Sequence, residues 1–320
     1  MSVSEDSQPT DLGERPKEKI RLKGVEETLF CTLLPKARDA ESPNPVLGDP
    51  YASRLIESCD VDLTRSTFKA VDNDRATRWV VNRSMTFDRW CRDFLQQHKD
   101  EPVTVLYLGC GLDCRVHRVN RGRPDMRWID LDRPLVIDLR QRLIPQAPLG
   151  DYHLRTLDIT AAGWLQDIPA DRPTLIMGEG LFMYLTPAQV EALVRELVEH
   201  FSEGGGGEIL LDTVSNLYVK YTDHVALLKA SGAKWRWGTD DAREVEAFHP
   251  RLRLLEHVRS ADYMGNKAFG QSQVPLFGED VAGVLKMALA SLSGSNSAFG
   301  QNARFAFARA DESGQSTATS

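Results

Sequence analysis

Apolar and polar positions along this chain fall into two regimes that meet near Pro102. Before it the spacing is helical. Apolar residues begin to recur from Val25 to about Leu34, which predicts a helix, and Asp49-Pro50 has the form of a turn that launches another. Phe68, Val71, Trp79, Val80, Phe87, Trp90, Phe94 and Leu95 recur at helical spacing, which predicts one long amphipathic helix over 68–98. After Pro102 come short apolar, β-branched runs of the kind that form buried parallel strands: 103–109, 126–132, 153–159, 174–180 and 207–213, with later candidates at 252–258 and 303–309. Helices are predicted between them, one ending at Leu143 and another running from Pro187 to Phe201 behind Thr186 as N-cap. Strands alternating with helices predict βαβ units. The expected fold is therefore α/β, a doubly wound, mainly parallel sheet with an N-terminal helical segment packed on it as a partial lid.

The rhythm breaks at 215–250, where Tyr218, Tyr221, His224, Trp235 and Trp237 collect. An insertion there lies over the carboxyl ends of the strands, where ligands bind in open α/β sheets. The expected organisation is a disordered polar tail over 1–19, a helical cap over 20–100, a ligand-binding domain over 101–310 carrying this insertion, and a disordered Ser/Thr-rich tail over 311–320.

Composition narrows the function by exclusion. A net charge of −7 argues against nucleic acid as the main partner, although five arginines fall between Arg115 and Arg127. The five cysteines, an odd number without CxxC spacing, fit reduced thiols in an intracellular compartment. No His joins them at metal-binding spacing, so no metal is expected. The polar start and the lack of a long apolar run predict a cytoplasmic protein with no membrane partner.

The chemistry-bearing residues sit at strand ends. Gly109 and Gly111 follow the first strand and precede a helix, which lets backbone approach a ligand closely; the same pair also suits a plain strand-to-helix turn. A dinucleotide fingerprint requires a third glycine where Cys114 stands, which counts against NAD. Asp130 and Asp132 end the second strand about 20 residues later, where a carboxylate accepts hydrogen bonds from ribose hydroxyls. One of the two faces the ligand, and the other caps the following helix. Asp158 ends the third strand at the place for an adenine-edge contact, and Glu179 ends the fourth.

These strings, GCGLDCR, WIDLDRP, LDIT and above all GEGLFMYL at 178–185, resemble the leucine carboxyl methyltransferase family, and more its small-molecule O-methyltransferases of polyketide tailoring than its phosphatase-modifying enzymes. LLPKARDAESPNPVLGDPYA, VNRSMTFDRW and GAKWRWGTDDARE extend the likeness over roughly 25–309. The resemblance implies a Rossmann-like fold with a seven-stranded sheet and S-adenosylmethionine in its crevice. It further implies that Arg38 and Arg83 hold the methionine carboxylate, Gly109 and Gly111 form the loop, Asp132 binds the ribose, Asp158 and Ile159 lie at the adenine, and Glu179 lies near the amino-acid end. The family's loop usually reads GAGLDTR; here Cys110 and Cys114 replace its small residues, and Asp130 replaces a usual glutamate. A small-molecule acceptor is implied, with Tyr184, Tyr221 or His224 as candidate bases if one is needed.

Overall fold

Alternate residues of the central strands face opposite sides of one sheet, and different helices cover the two sides. The computed structural model describes residues 16–20, 24–119, 123–144, 148, 150–260, 262 and 300–310. Its main sheet has seven strands: β1 (Val103–Leu108), β2 (Met126–Asp132), β3 (Asp151–Thr156), β4 (Thr174–Gly178), β5 (Gly207–Val214), β6 (Leu252–Arg259) and β7 (Gly300–Phe307). They lie in the order β3-β2-β1-β4-β5-β7-β6, with β1 to β5 parallel and β7 antiparallel to both neighbours. The chain winds outward from β1 in both directions, the doubly wound arrangement that leaves a crevice between β1 and β4 at their carboxyl ends.

Helices α1 (Leu29–Ala40), α2 (Ala52–Glu57), α3 (Ser66–Lys69) and α4 (Asp74–Gln97) precede the sheet. The helix expected over 68–98 is divided, because Asn73 leaves helical geometry and its side chain accepts the Ala76 amide at 2.9 Å, starting α4 afresh. Val103, Val105, Tyr107, Leu175, Met177 and Leu210 face α4, which lays Phe87, Trp90, Cys91 and Phe94 onto them; α5 (Arg115–Val119) and α6 (Pro134–Leu143) complete that side. Leu106, Leu108, Ile176, Ile209 and Leu211 face the other way, onto Val190, Leu193, Val194 and Leu197 of α7 (Pro187–Ser202). Fully burying each large side chain in these layers stabilises the fold by about 1.5–3 kcal/mol. Helix α7 begins with a capping box between Thr186 and Gln189, and α6 with Pro134 in its first turn.

A third cluster joins α1, α2, α3 and the first turns of α4 (Trp79, Val80) to α8 (Asn216–Lys220) and α9 (Ala226–Ser231) of the insertion, with Trp235. Helix α4 therefore belongs both to this cap and to the packing of the sheet. All five cysteines are buried and free. Burial pushes the Cys59 and Cys91 thiols up to about 12. Among the described residues no helix is long and apolar enough to cross a membrane.

Candidate active site

A cavity of about 260 Å³ opens where the topology places the crevice. The loop after β1 (Gly109 to Asp113), the end of β2 (Leu131 to Arg133), the segment after β3 (Leu157 to Thr160) and the residues after β4 (Glu179 to Leu181) form its walls. Helices α1 and α4 close it from above. Both loop glycines adopt left-handed backbone, φ 63° at Gly109 and 54° at Gly111, which a side chain would strain. A Cβ on Gly109 would also press to 3.2 Å from Leu181 Cδ1.

At one end, Asp132 is fixed by backbone. Its Oδ2 accepts the Gly111 amide and its Oδ1 the Arg133 amide, each at 2.7 Å. A carboxylate offers about four acceptor sites, so further positions remain for a pair of hydroxyls. Burial raises its pKa, and the two amides work against that rise. Asp158 is exposed at the rim and accepts the Thr160 amide at 2.9 Å and hydroxyl at 2.6 Å, which holds its carboxyl below the usual range. Ile159 lines the cavity beside it.

At the other end the side chains are charged and buried. Glu179 Oε1 accepts Arg83 Nε at 3.1 Å and Ser84 Oγ at 2.7 Å, and its Oε2 accepts Arg115 Nη2. Arg115 also binds Asp88 at 2.7 Å and Asp113 at 3.1 Å, with its guanidinium near the rings of Phe87 and Tyr107. Arg118 joins Asp49, Asp88 and Asp113, and Lys36 Nζ lies 3.3 Å from Asp113. Arg83 stacks on Trp79 at 4.5 Å and reaches Asp212, whose other oxygen accepts the Gly180 amide at 2.6 Å. Burial opposes ionisation of Glu179 and Asp113, but the surrounding cations outweigh it and hold both carboxyls below their ordinary values: Lys36, Arg115 and Arg83 around the first, Arg118, Lys36 and Arg115 around the second.

Among the residues expected from sequence, the structure brings Arg83, Gly109, Gly111, Asp132, Asp158, Ile159, Glu179 and Tyr184 to this cavity. Arg38 lies outside it, paired with Asp72 and Asp74 at 3.2 Å each. Residues two apart on a helix point about 200° away from each other. The face of α1 that carries Leu29, Thr32 and Leu33 into the cavity therefore carries Lys36 and turns Arg38 away. Asp130 is also outside. It is buried within β2, where it accepts Trp128 Nε1 (2.7 Å), Arg140 Nη2 and the Tyr152 hydroxyl (both 2.8 Å). Tyr221 and His224 do not line the cavity; Tyr221 packs against the cap cluster. Tyr184 does line it, but its hydroxyl lies 3.4 Å from Thr28 Oγ1 as donor, and burial raises its pKa, so it presents a neutral polar wall. Sequence reasoning passed over Lys36, Asp113, Arg115 and Asp212. The first three stood in quoted motifs, and helical facing would have found Lys36.

The sheet order, the glycine loop and the acid at the end of β2 together define a nucleoside-binding α/β protein. The leucine carboxyl methyltransferase family model matches residues 31–198, more than half of the chain, and the protein belongs to that family. It is 38% identical over 246 residues to the tetracenomycin polyketide synthesis O-methyltransferase TcmP of Streptomyces glaucescens, covering 77% of this chain and 86% of that one. It is 36% identical over 253 residues to the S-adenosyl-L-methionine-dependent methyltransferase dpfgK of Gibberella zeae, covering 76% and 84%. A solved Thermobifida fusca structure, described as a candidate methyltransferase, shares the fold with a TM-score of 0.50 and 16% identity, over 90% of this chain and 96% of its own.

Proposed function

We propose that the protein transfers a methyl group from S-adenosylmethionine to an oxygen of a small carboxylic, phenolic or enolic acceptor in polyketide-type secondary metabolism. The observation that carries this reading is the pairing, in one cavity, of a backbone-fixed carboxylate at the end of β2 with a cluster of buried ions gathered around Glu179, just after β4. The donor set fits the cofactor. Asp132 suits the ribose hydroxyls, Ile159 and Asp158 the adenine, and Lys36 with Arg83 the methionine carboxylate. In the charged cluster, Lys36, Arg83, Arg92, Arg115 and Arg118 formally balance Asp49, Asp88, Asp113, Glu179 and Asp212.

Bound S-adenosylmethionine supplies a methyl group already activated on a sulfonium, so the protein's contribution is alignment and exclusion of water. Orientation of this kind is worth up to about 7–11 kcal/mol of barrier. Trp79, Met183, Leu227 and Trp235 give the cavity an apolar wall against which an aromatic or polyketide body packs. A carboxylate acceptor arrives ionised near neutral pH and needs no base. The name of the 38% relative favours a small polyketide acceptor; the family's own description favours a carboxyl group, including one at a protein C-terminus. Incubation with S-adenosylmethionine and a panel of aromatic acids, phenols, enols and C-terminal peptides, read by mass spectrometry, tests the proposal. A gain of one methyl on an oxygen of a small acceptor supports it. Methylation of peptides alone would move the acceptor to a protein chain end, and transfer to none with intact cofactor binding would leave a cofactor-binding protein without this activity.

A further inference from the structure

Arg140 lies on α6, outside the cavity, and its side chain is 2% exposed. Its guanidinium makes three hydrogen bonds in two directions. Nη1 donates to the backbone carbonyls of Gly111 (3.0 Å) and Asp113 (2.7 Å), the two residues flanking Leu112 in the glycine loop. Nη2 donates to Asp130 Oδ2 at 2.8 Å. Asp130 is in turn held by Trp128 Nε1 and the Tyr152 hydroxyl, from β2 and β3. The loop is thereby tied through Arg140 to the buried interior of β2. The tie matters because Gly111 has no side chain to restrict its backbone, and a glycine peptide reorients at little cost. Gly111 is fixed from both sides: its carbonyl faces Arg140 and its amide donates to Asp132. Asp132 therefore accepts from a residue that Arg140 holds on its carbonyl side, and from the Arg133 amide.

We propose that Arg140, seated on Asp130, is the positioning residue that presets the glycine loop and, through Gly111, Asp132 for the nucleoside end of the cofactor. The inference rests on the reading that this cavity binds S-adenosylmethionine. It also gives Asp130 a role: it holds the residue that shapes the loop, in place of binding ribose itself. A flat guanidinium can span two carbonyls and a carboxylate at once, whereas an ammonium on a flexible stem serves them less well.

The test is calorimetric binding of S-adenosylhomocysteine, with steady-state kinetics, on the full chain of the wild type, Arg140→Lys, Arg140→Met, Tyr152→Phe, Asp132→Ala and the Arg140→Lys/Asp132→Ala double variant. Arg140→Met is expected to weaken binding by about tenfold or more, with Arg140→Lys intermediate and Tyr152→Phe smallest, since Asp130 keeps its other donors. KM for S-adenosylmethionine should rise in parallel while kcat at saturation stays within about twofold, because no reacting group is removed. The decisive readout is the cycle with Asp132. If Arg140 acts through that carboxylate, the double variant binds hardly more weakly than Asp132→Ala alone, whereas two independent sites would multiply their effects. If Arg140→Met fails to fold, Arg140→Lys and Tyr152→Phe carry the same comparison. Folded Arg140→Lys with wild-type affinity, or effects that multiply with Asp132→Ala, overturns the inference while leaving the cofactor site standing. A wild type that binds no S-adenosylhomocysteine overturns both.

Discussion

The two ends of the cavity are held by different means. At the nucleoside end, the main contacts lie within 24 residues of one another, between Gly109 and Arg133, and the deciding hydrogen bonds come from backbone amides onto Asp132. At the charged end, side chains from positions 36, 49, 83, 88, 113, 115, 118, 179 and 212 converge from four elements and the loops between them. The first end is a local motif whose fold tolerates the loss of the Asp132 side chain, because that carboxylate meets backbone amides and balances no buried ion. The second is a network in which each charge is balanced only by the others, and removing one member strands its partners in a poorly solvated interior.

The sharpest way to separate the two ends is to delete a charge from each. Arg115→Ala leaves Asp88, Asp113 and Glu179 short of a partner and is expected to cost about 3–5 kcal/mol of stability in denaturant unfolding. Asp132→Ala should keep the fold but lower cofactor affinity by about 10–100-fold, the value of hydrogen bonds to a charged group, in calorimetric titration. A large stability loss at Asp132 with unchanged affinity would erase the distinction between the two ends. Lys36→Met removes one of three cations around Asp113 and should weaken cofactor binding by about tenfold, with a smaller effect on stability than Arg115→Ala.

Acid sharpens the same contrast. Glu179 and Asp113 are held below their ordinary carboxyl values in the folded state, so their contribution is complete above the unfolded values, about pH 4–4.5. It is lost as pH falls from there through the depressed folded values. Unfolding measured from pH 7 downward should therefore lose stability steeply below about pH 4.5, and Glu179→Gln should make that slope shallower. An unchanged slope would mean that Glu179 is not held by its cations. The smallest effect is expected at Arg38, an exposed pair with Asp72 and Asp74: Arg38→Ala should change stability by at most about 1 kcal/mol and leave affinity unaltered.

The same local-versus-distant division decided what the sequence could reveal. Met126–Asp132 and Pro134–Leu143 fall where the apolar run and the proline placed them, because strand burial and a proline in the first turn act locally. The break at Asn73 was hidden, since apolar spacing runs straight across it and only the Asn73 to Ala76 cap reveals a new helix. Asp130 and Asp132 have the same strand parity, so alternation could not tell them apart. What separates them is depth: Asp130 lies inside β2 under Arg140 and Tyr152, and Asp132 stands at its end beside the loop. Glu179 was legible as an acid at a strand end. Its partners Arg115 and Ser84 were not, because 64 and 95 residues separate them from it and only the packing of α4 and α5 brings them together; Arg83, 96 residues away, was named only through the family resemblance.

Titration of the wild-type protein with S-adenosylhomocysteine and, separately, with NAD tests the central claim most directly. Micromolar binding of S-adenosylhomocysteine with none of NAD is the predicted result, with the missing third glycine and the backbone-fixed Asp132 as its structural reasons. Binding of NAD alone, or of neither, would contradict the assignment of this cavity to the methyl donor.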